Sequence, residues 1–182
     1  EYETEIDTRL EGKLGFDRVR TFVADRCSTE YAVTRVTEER FSNDPKVIRE
    51  RLALTDEMRL IVMFEENFPT NGYIDCLDFL KPLEKTGYTI DILSLGKLRT
   101  MVETVRKLTN FFMSIKDGVY PNLKRMSAPV LSFPEVQRRI DQILDKFGDV
   151  KDTASDKLLE IRRAIKTKEG AISKRANAIL KQ

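Results

Sequence analysis

The 182-residue chain contains no histidine, only two cysteines, and few glycines and prolines for its length (eight and six). Each shortage excludes something. Without histidine, the commonest general base and the commonest transition-metal ligand are missing. Two cysteines cannot build a Cys-rich zinc site, which takes four ligands. Cys27 also has no imidazole to activate it as a nucleophile. Cys27 and Cys76 lie far apart in sequence and read as reduced core thiols of a cytoplasmic protein rather than a disulfide. Sparse turn residues argue against an all-β fold. The longest unbroken apolar run, Leu60 to Phe64, is far too short to span a bilayer.

A phosphate cradle is also missing. Gly96-Lys97 has the look of the end of a Walker A loop, but Asp91 stands where its first glycine is needed. Leu98 stands where the hydroxyl residue should follow the lysine. Gly12-Lys13-Leu14 lacks the hydroxyl residue too. The acidic pairs Asp75/Asp78, Glu65/Glu66 and Asp149/Asp152 come with no ligand loop and read as solvated or capping groups. No catalytic residue, metal ligand or cofactor site is expected within these residues.

What the chain does have is helical periodicity. Phe16, Val19, Phe22 and Val23 line one face of a helix. A second helix is expected from a Ser28 cap to about Phe41. A long third runs from Pro45 to about Asn67, capped by Asp44, with a broad buried face from Val47 to Phe64. After a loop at Pro69 and Asn71-Gly72 comes a short element around Leu77–Leu83. A second long helix follows, Leu95 to about Lys116, capped by Ser94. A short amphipathic stretch at Leu123–Met126 precedes a helix opened by a Ser132/Glu135 capping box, whose apolar face includes Ile140, Leu144 and Phe147. Residues 147–152 suggest a small hairpin. Ser155 caps a last helix that continues to the end of the sequence. The fold class is therefore all-α, a helical bundle with a long C-terminal arm.

The arm differs from the rest. Leu158, Ile165, Ile172 and Ile179 recur every seven residues, with Ile161 between the first two. The other positions of that kind are Lys168 and Arg175, so the apolar seam is narrow. Residues 157–182 hold eight lysines and arginines against Glu160 and Glu169. They therefore carry a net +6 of the chain's total of +2, leaving −4 on the residues before them. The expected division is a compact region, residues 1–152, and a basic helix, residues 153–182. Spaced cations on a long helix suit sequence-independent phosphate contact. No aromatic residue is interleaved, so a stacking platform for single strands is not expected.

Several stretches resemble a known family. Leu14-Gly-Phe-Asp-Arg-Val-Arg20 is similar to the "L-E-F-D-K-I" opening of the MutS-II proteins, with Gly15 in place of the acidic residue. Gly148-Asp-Val-Lys-Asp152-Thr-Ala154-Ser155, followed by Leu158, Leu159, Ile161 and Arg162, resembles that family's "G-x-(I/V)-x-D-x-A-S-x-x-L-x-x-I-R" signature. Between them, Leu54-Thr-Asp-Glu57 resembles a "T-x-E" in the family's long helix, and Pro121-Asn-Leu123 its short "P-x-L". The resemblance implies an N-terminal core, or lever, region, with the last helix beginning the arm that leads to a DNA clamp. The sequence opens on Glu1 and stops at Gln182 inside an unfinished helical pattern, so a segment of a longer protein is expected.

The resemblance further implies that the parent protein is an ATP- and Mg-dependent, homodimerising ATPase, usually with a Smr nuclease domain. It would bind branched or duplex DNA, control recombination and, in some members, rescue collided ribosomes. The segment itself would be non-catalytic, with Lys166, Lys168, Lys174, Arg175 and Lys181 touching the nucleic-acid backbone. A helical scaffold with a coiled-coil arm unrelated to nucleic acid is the alternative reading of the same heptad.

Overall fold

The computed structural model describes residues 2–181, with side chains from residue 8 onward. Its described residues form nine α-helices, two 3-10 turns and one isolated antiparallel bridge. The helices are α1 (Tyr2–Leu14), α2 (Phe16–Ala24), α3 (Glu30–Glu38), α4 (Pro45–Phe64), α5 (Leu77–Leu80), α6 (Ile92–Ser114), α7 (Pro121–Ser127), α8 (Pro134–Ile143) and α9 (Asp156–Leu180). The all-α expectation holds. α1 is not among the expected helices, although Tyr2, Ile6, Leu10 and Leu14 recur every four residues along it. No helix among the described residues is long and apolar enough to cross a membrane.

Starts and stops follow local chemistry, though not always at the expected residue. Asp44 accepts from the Lys46 N–H at 2.8 Å, with Pro45 in the first turn of α4. α3 is capped by Thr29, which accepts from Ala32 N, and not by Ser28. α6 begins earlier than expected because Asp91 outcompetes Ser94 as its cap. The Asp91 carboxylate takes both the Ser94 N–H and its hydroxyl, at 2.9 and 2.7 Å, and those bonds hold its carboxyl below the usual range. The Ser132/Glu135 box does not form. Phe133 occupies the cap position of α8 without a side-chain bond, and Glu135 pairs instead with Arg138.

The core lies where α4, α6 and α7 meet. Ile61, Phe68, Phe111, Phe112 and Tyr120 are buried together, flanked by Leu60, Leu108, Ile115 and Leu123. Phe68 meets Phe111 and Phe112 edge-on at 5.2 and 6.2 Å between ring centres. Burying Ile61 completely contributes roughly 1.5–3 kcal/mol. The broad buried face expected for α4 is narrower than its pattern implied: Ile61 and Glu57 are buried, whereas Leu52, Val62 and Met63 face solvent.

A polar contact joins two of the sequence motifs. Glu57, buried on α4, accepts from Asn122 N at 3.0 Å, Asn122 Nδ2 at 2.7 Å and Leu123 N at 2.7 Å. Its carboxylate thus satisfies orphan amides at the start of α7, whose own cap residue, Tyr120, supplies none. The "T-x-E" and "P-x-L" stretches are one structural unit. Gly72 is another fixed point. At φ +84° its carbonyl accepts from Thr104 Oγ1, and a Cβ there would lie 2.4 Å from that oxygen.

α1, α2 and α3 pack mainly on one another. Arg20 ties them, donating to Glu11 and to the carbonyls of Val36 and Glu39. Asp75 accepts from the Glu30 N–H at 2.7 Å and so links the start of α3 to the loop before α5.

Candidate nucleic-acid interface

α9 grows from a braced turn. α8 ends when Leu144, almost fully buried, turns extended and pairs with Val150. Asp145 N donates to Asp149 O and Lys151 N to Ile143 O, both at 2.8 Å. The expected small hairpin is thus a single bridge with a tight turn. Gly148, at φ +88°, reverses the chain there. The Asp145 carboxylate accepts from Phe147 N and Asp149 N and locks the turn. Phe147, expected on the buried face of α8, is 78% exposed, because the helix ends before reaching it.

The turn is fastened to the body from α6. Arg99 donates to the carbonyl of Asp145 at 2.8 Å and of Leu144 at 3.4 Å, and lies 3.8 Å from Asp141. Nearby, Gln137 of α8 donates to Glu103 of α6. Hydrogen bonds from the Arg106 guanidinium, with Gln137 adding, hold the Glu103 carboxyl down to about 2.

The signature residues then open the arm. Asp152 and Ala154 lie in a 3-10 turn. Asp152 reaches forward to pair with Arg162 at 3.1 Å. Ser155 accepts from Leu158 N at 3.2 Å and caps α9 as expected. Leu158 and Leu159 are half-buried against this base, and every described residue from Glu160 onward is exposed. Gly148, Asp152, Ala154, Ser155, Leu158 and Arg162 therefore shape and brace the start of α9, whereas Ile161 is half-exposed on its surface.

Beyond that base, Lys166, Lys168, Lys174, Arg175 and Lys181 are exposed along α9 or at its end, and none makes an ion pair among the described residues. At about 100° per residue, Lys168 and Arg175 border the Ile165–Ile172–Ile179 seam, while Lys174 and Lys181 share the opposite side. From Lys166 to Lys181 the helix rises roughly 22 Å. The seam is also open, with Ile165, Ile172 and Ile179 half to two-thirds or more exposed. Such an array can meet a row of phosphates but offers no converging groups for chemistry. Among the described residues no cluster of three His, Cys, Asp or Glu side chains could hold a metal ion.

Sequence reasoning misses the brace. Nothing local marks Arg99, which lies 45 residues before the carbonyl it holds. Glu57 stands out in the sequence only as part of a motif, and its partners lie 65 and 66 residues away.

No family model matches the chain. It is 25% identical over 178 residues to the endonuclease MutS2 of Listeria innocua and of a Geobacillus species. Against the endonuclease MutS2 of Clostridium perfringens it is 26% identical over 177 residues. Each match covers 97% of this chain and 22 or 23% of the relative. The chain thus spans less than a quarter of the length of the curated relatives it matches.

Proposed function

We propose, starting from a chain that matches the MutS-II proteins along 97% of its length, that it is the non-catalytic lever segment of a MutS-type ATPase. In this reading residues 1–152 form the lever, and α9 begins the arm of a DNA clamp. ATP, Mg and the dimer contacts belong to other parts of the full-length protein. The parent acts on branched or duplex DNA in recombination, with collided ribosomes as the further target that some members of that family have.

The observation that carries this reading is the braced origin of α9. A lever must transmit displacement without bending, so its joint to the arm has to be stiff. Arg99 on α6 and the Asp145 turn hold one side of that joint, and the Asp152–Arg162 pair and the Ser155 cap hold the other. The five exposed cations then lie on a helix whose direction the body sets.

The test is binding of the 182-residue chain to labelled branched and linear duplex DNA across a salt series. Binding should weaken steeply with salt and disappear when residues 157–182 are removed. Replacing Lys166, Lys168, Lys174, Arg175 and Lys181 together by Glu should weaken binding without regard to DNA sequence. It should also flatten the slope of log K against log salt by about 0.9 for each phosphate that is no longer neutralised. Unchanged affinity and slope would remove the clamp role from α9 and favour the scaffold reading, in which the Ile165–Ile179 seam pairs with another helix.

A further inference from the structure

α2, α3 and the first turns of α4 leave an open groove of about 660 Å³ between them. Its floor is apolar, built from Val19 and Val23 of α2, Phe41 of the connection, and Ile48 and Leu52 of α4, among others. These five are between 38% and 64% exposed. They form a contiguous solvent-facing apolar surface of the kind that marks interaction sites. Val19/Val23 and Ile48/Leu52 are i,i+4 pairs, so each of two helices presents a short apolar row to the trough. That is the shape that receives the apolar face of another helix.

The rim selects what kind of helix. Arg35 of α3, Arg40 of the connection and Arg51 of α4 stand around the floor, and Arg20 lies against its inner wall. Glu39 is the one carboxylate among the lining residues. Glu39 is taken up by Arg51 at 2.5 Å, and Arg20 by Glu11. Arg35 and Arg40 make no ion pair among the described residues. The groove therefore combines an apolar floor with surplus positive charge at its edge.

We propose that this groove docks an amphipathic helix of a second protein whose apolar stripe is bordered by aspartate or glutamate. Its apolar residues displace solvent from Val19, Val23, Ile48 and Leu52, and its carboxylates meet Arg35 and Arg40. Complementary charge of this kind sets partner choice more than affinity. The same charges disfavour a basic helix such as the α9 of a second copy. The proposal uses no residue of α9 and stands or falls apart from the clamp reading.

The test uses the whole chain and two designed, labelled peptides of about four helical turns. Both carry leucines at alternating three- and four-residue spacing. One has glutamates along both edges of the stripe, the other lysines. Fluorescence anisotropy should show the glutamate peptide binding at least about tenfold more tightly than its lysine twin. Leu52→Asp and, separately, Val19→Asp should each weaken it about tenfold or more. Arg35→Glu combined with Arg40→Glu should invert the preference between the peptides. Circular dichroism on each variant keeps loss of folding apart from loss of the groove, and two independent floor positions guard against one failing to fold.

The proposal is overturned if neither peptide binds, if both bind equally, or if binding survives both aspartate variants. It is also overturned if sedimentation shows the chain self-associating in a way that Leu52→Asp abolishes, because the groove would then belong to a second copy.

Discussion

The body around Ile61 and the arm formed by α9 are built from the same kind of element and held in opposite ways. In the body, helices stand because several neighbours bury them. Ile61, Phe111, Phe112 and Tyr120 share one core, and Glu57 ties α4 to α7 through three accepted hydrogen bonds. In the arm, Ile172 and Ile179 are 67% and 71% exposed. The helix there rests on its cap, its own backbone ladder and one ion pair at its base. Beyond its first turn α9 has no tertiary cover among the described residues, so its helicity there depends on length and local propensity rather than on packing. Stability is concentrated in the body, and the arm's surface is left available for contact.

That contrast can be broken, and the largest effect should come from the core. Ile61→Ala removes a side chain with no exposed surface and should cost about 2–5 kcal/mol in urea unfolding. Ile172→Ala in the arm should change global stability by no more than about 0.5 kcal/mol. Equal losses would mean that the arm folds with the body as one cooperative unit. Next is Glu57→Leu. It leaves the Asn122 and Leu123 amides without their acceptor and should cost about 1–3 kcal/mol, with α7 losing hydrogen-exchange protection first. No change would mean that another group takes over the cap.

Smaller effects sharpen the boundary. Ser155→Ala removes the α9 cap and should cost about 1 kcal/mol of helix stability. The loss should appear as faster amide exchange in the first turns of α9, with the unfolding midpoint of the body unmoved. A shifted midpoint would show that the cap couples to the core. The smallest effect is a pH dependence at the junction of α6 and α8. Glu103 has its carboxyl lowered to about 2 from an ordinary 4.5. Its contribution is therefore fully present above about pH 4.5 and is lost as pH falls from there toward 2. Glu103→Gln should flatten the stability profile over that acid window, lowering stability at neutral pH and leaving the acid end near pH 2 little changed. An unaltered profile would show that other carboxylates carry the acid sensitivity.

Much of the arrangement is legible in the sequence because its causes are local. Asp44-Pro45 and Ser155 start helices through bonds to amides two and three residues on, and such bonds depend on nothing distant. The heptad of α9 and its excess of lysine and arginine are likewise properties of one segment. Misreadings arise where two local options compete: Asp91 against Ser94, Thr29 against Ser28, and Glu135 bonding Arg138 rather than closing a box. They also arise where a periodic pattern outruns its packing, as at Leu52 and Val62 on α4 and at Phe147 past the end of α8.

The sequence by itself determined the helical class, the approximate place of most helices, and the opposite charge of arm and body. It also carried the likeness to the MutS-II proteins through the stretches around Leu14 and Gly148. Only the tertiary structure decided which apolar faces are covered, and that Glu57 and Arg99 are fastenings rather than surface charges. The reason is distance along the chain. A cap or a heptad is closed by residues within one or two turns. The partners of Glu57 and Arg99, like the walls of the groove beside α2, come together only when helices dozens of residues apart have already packed.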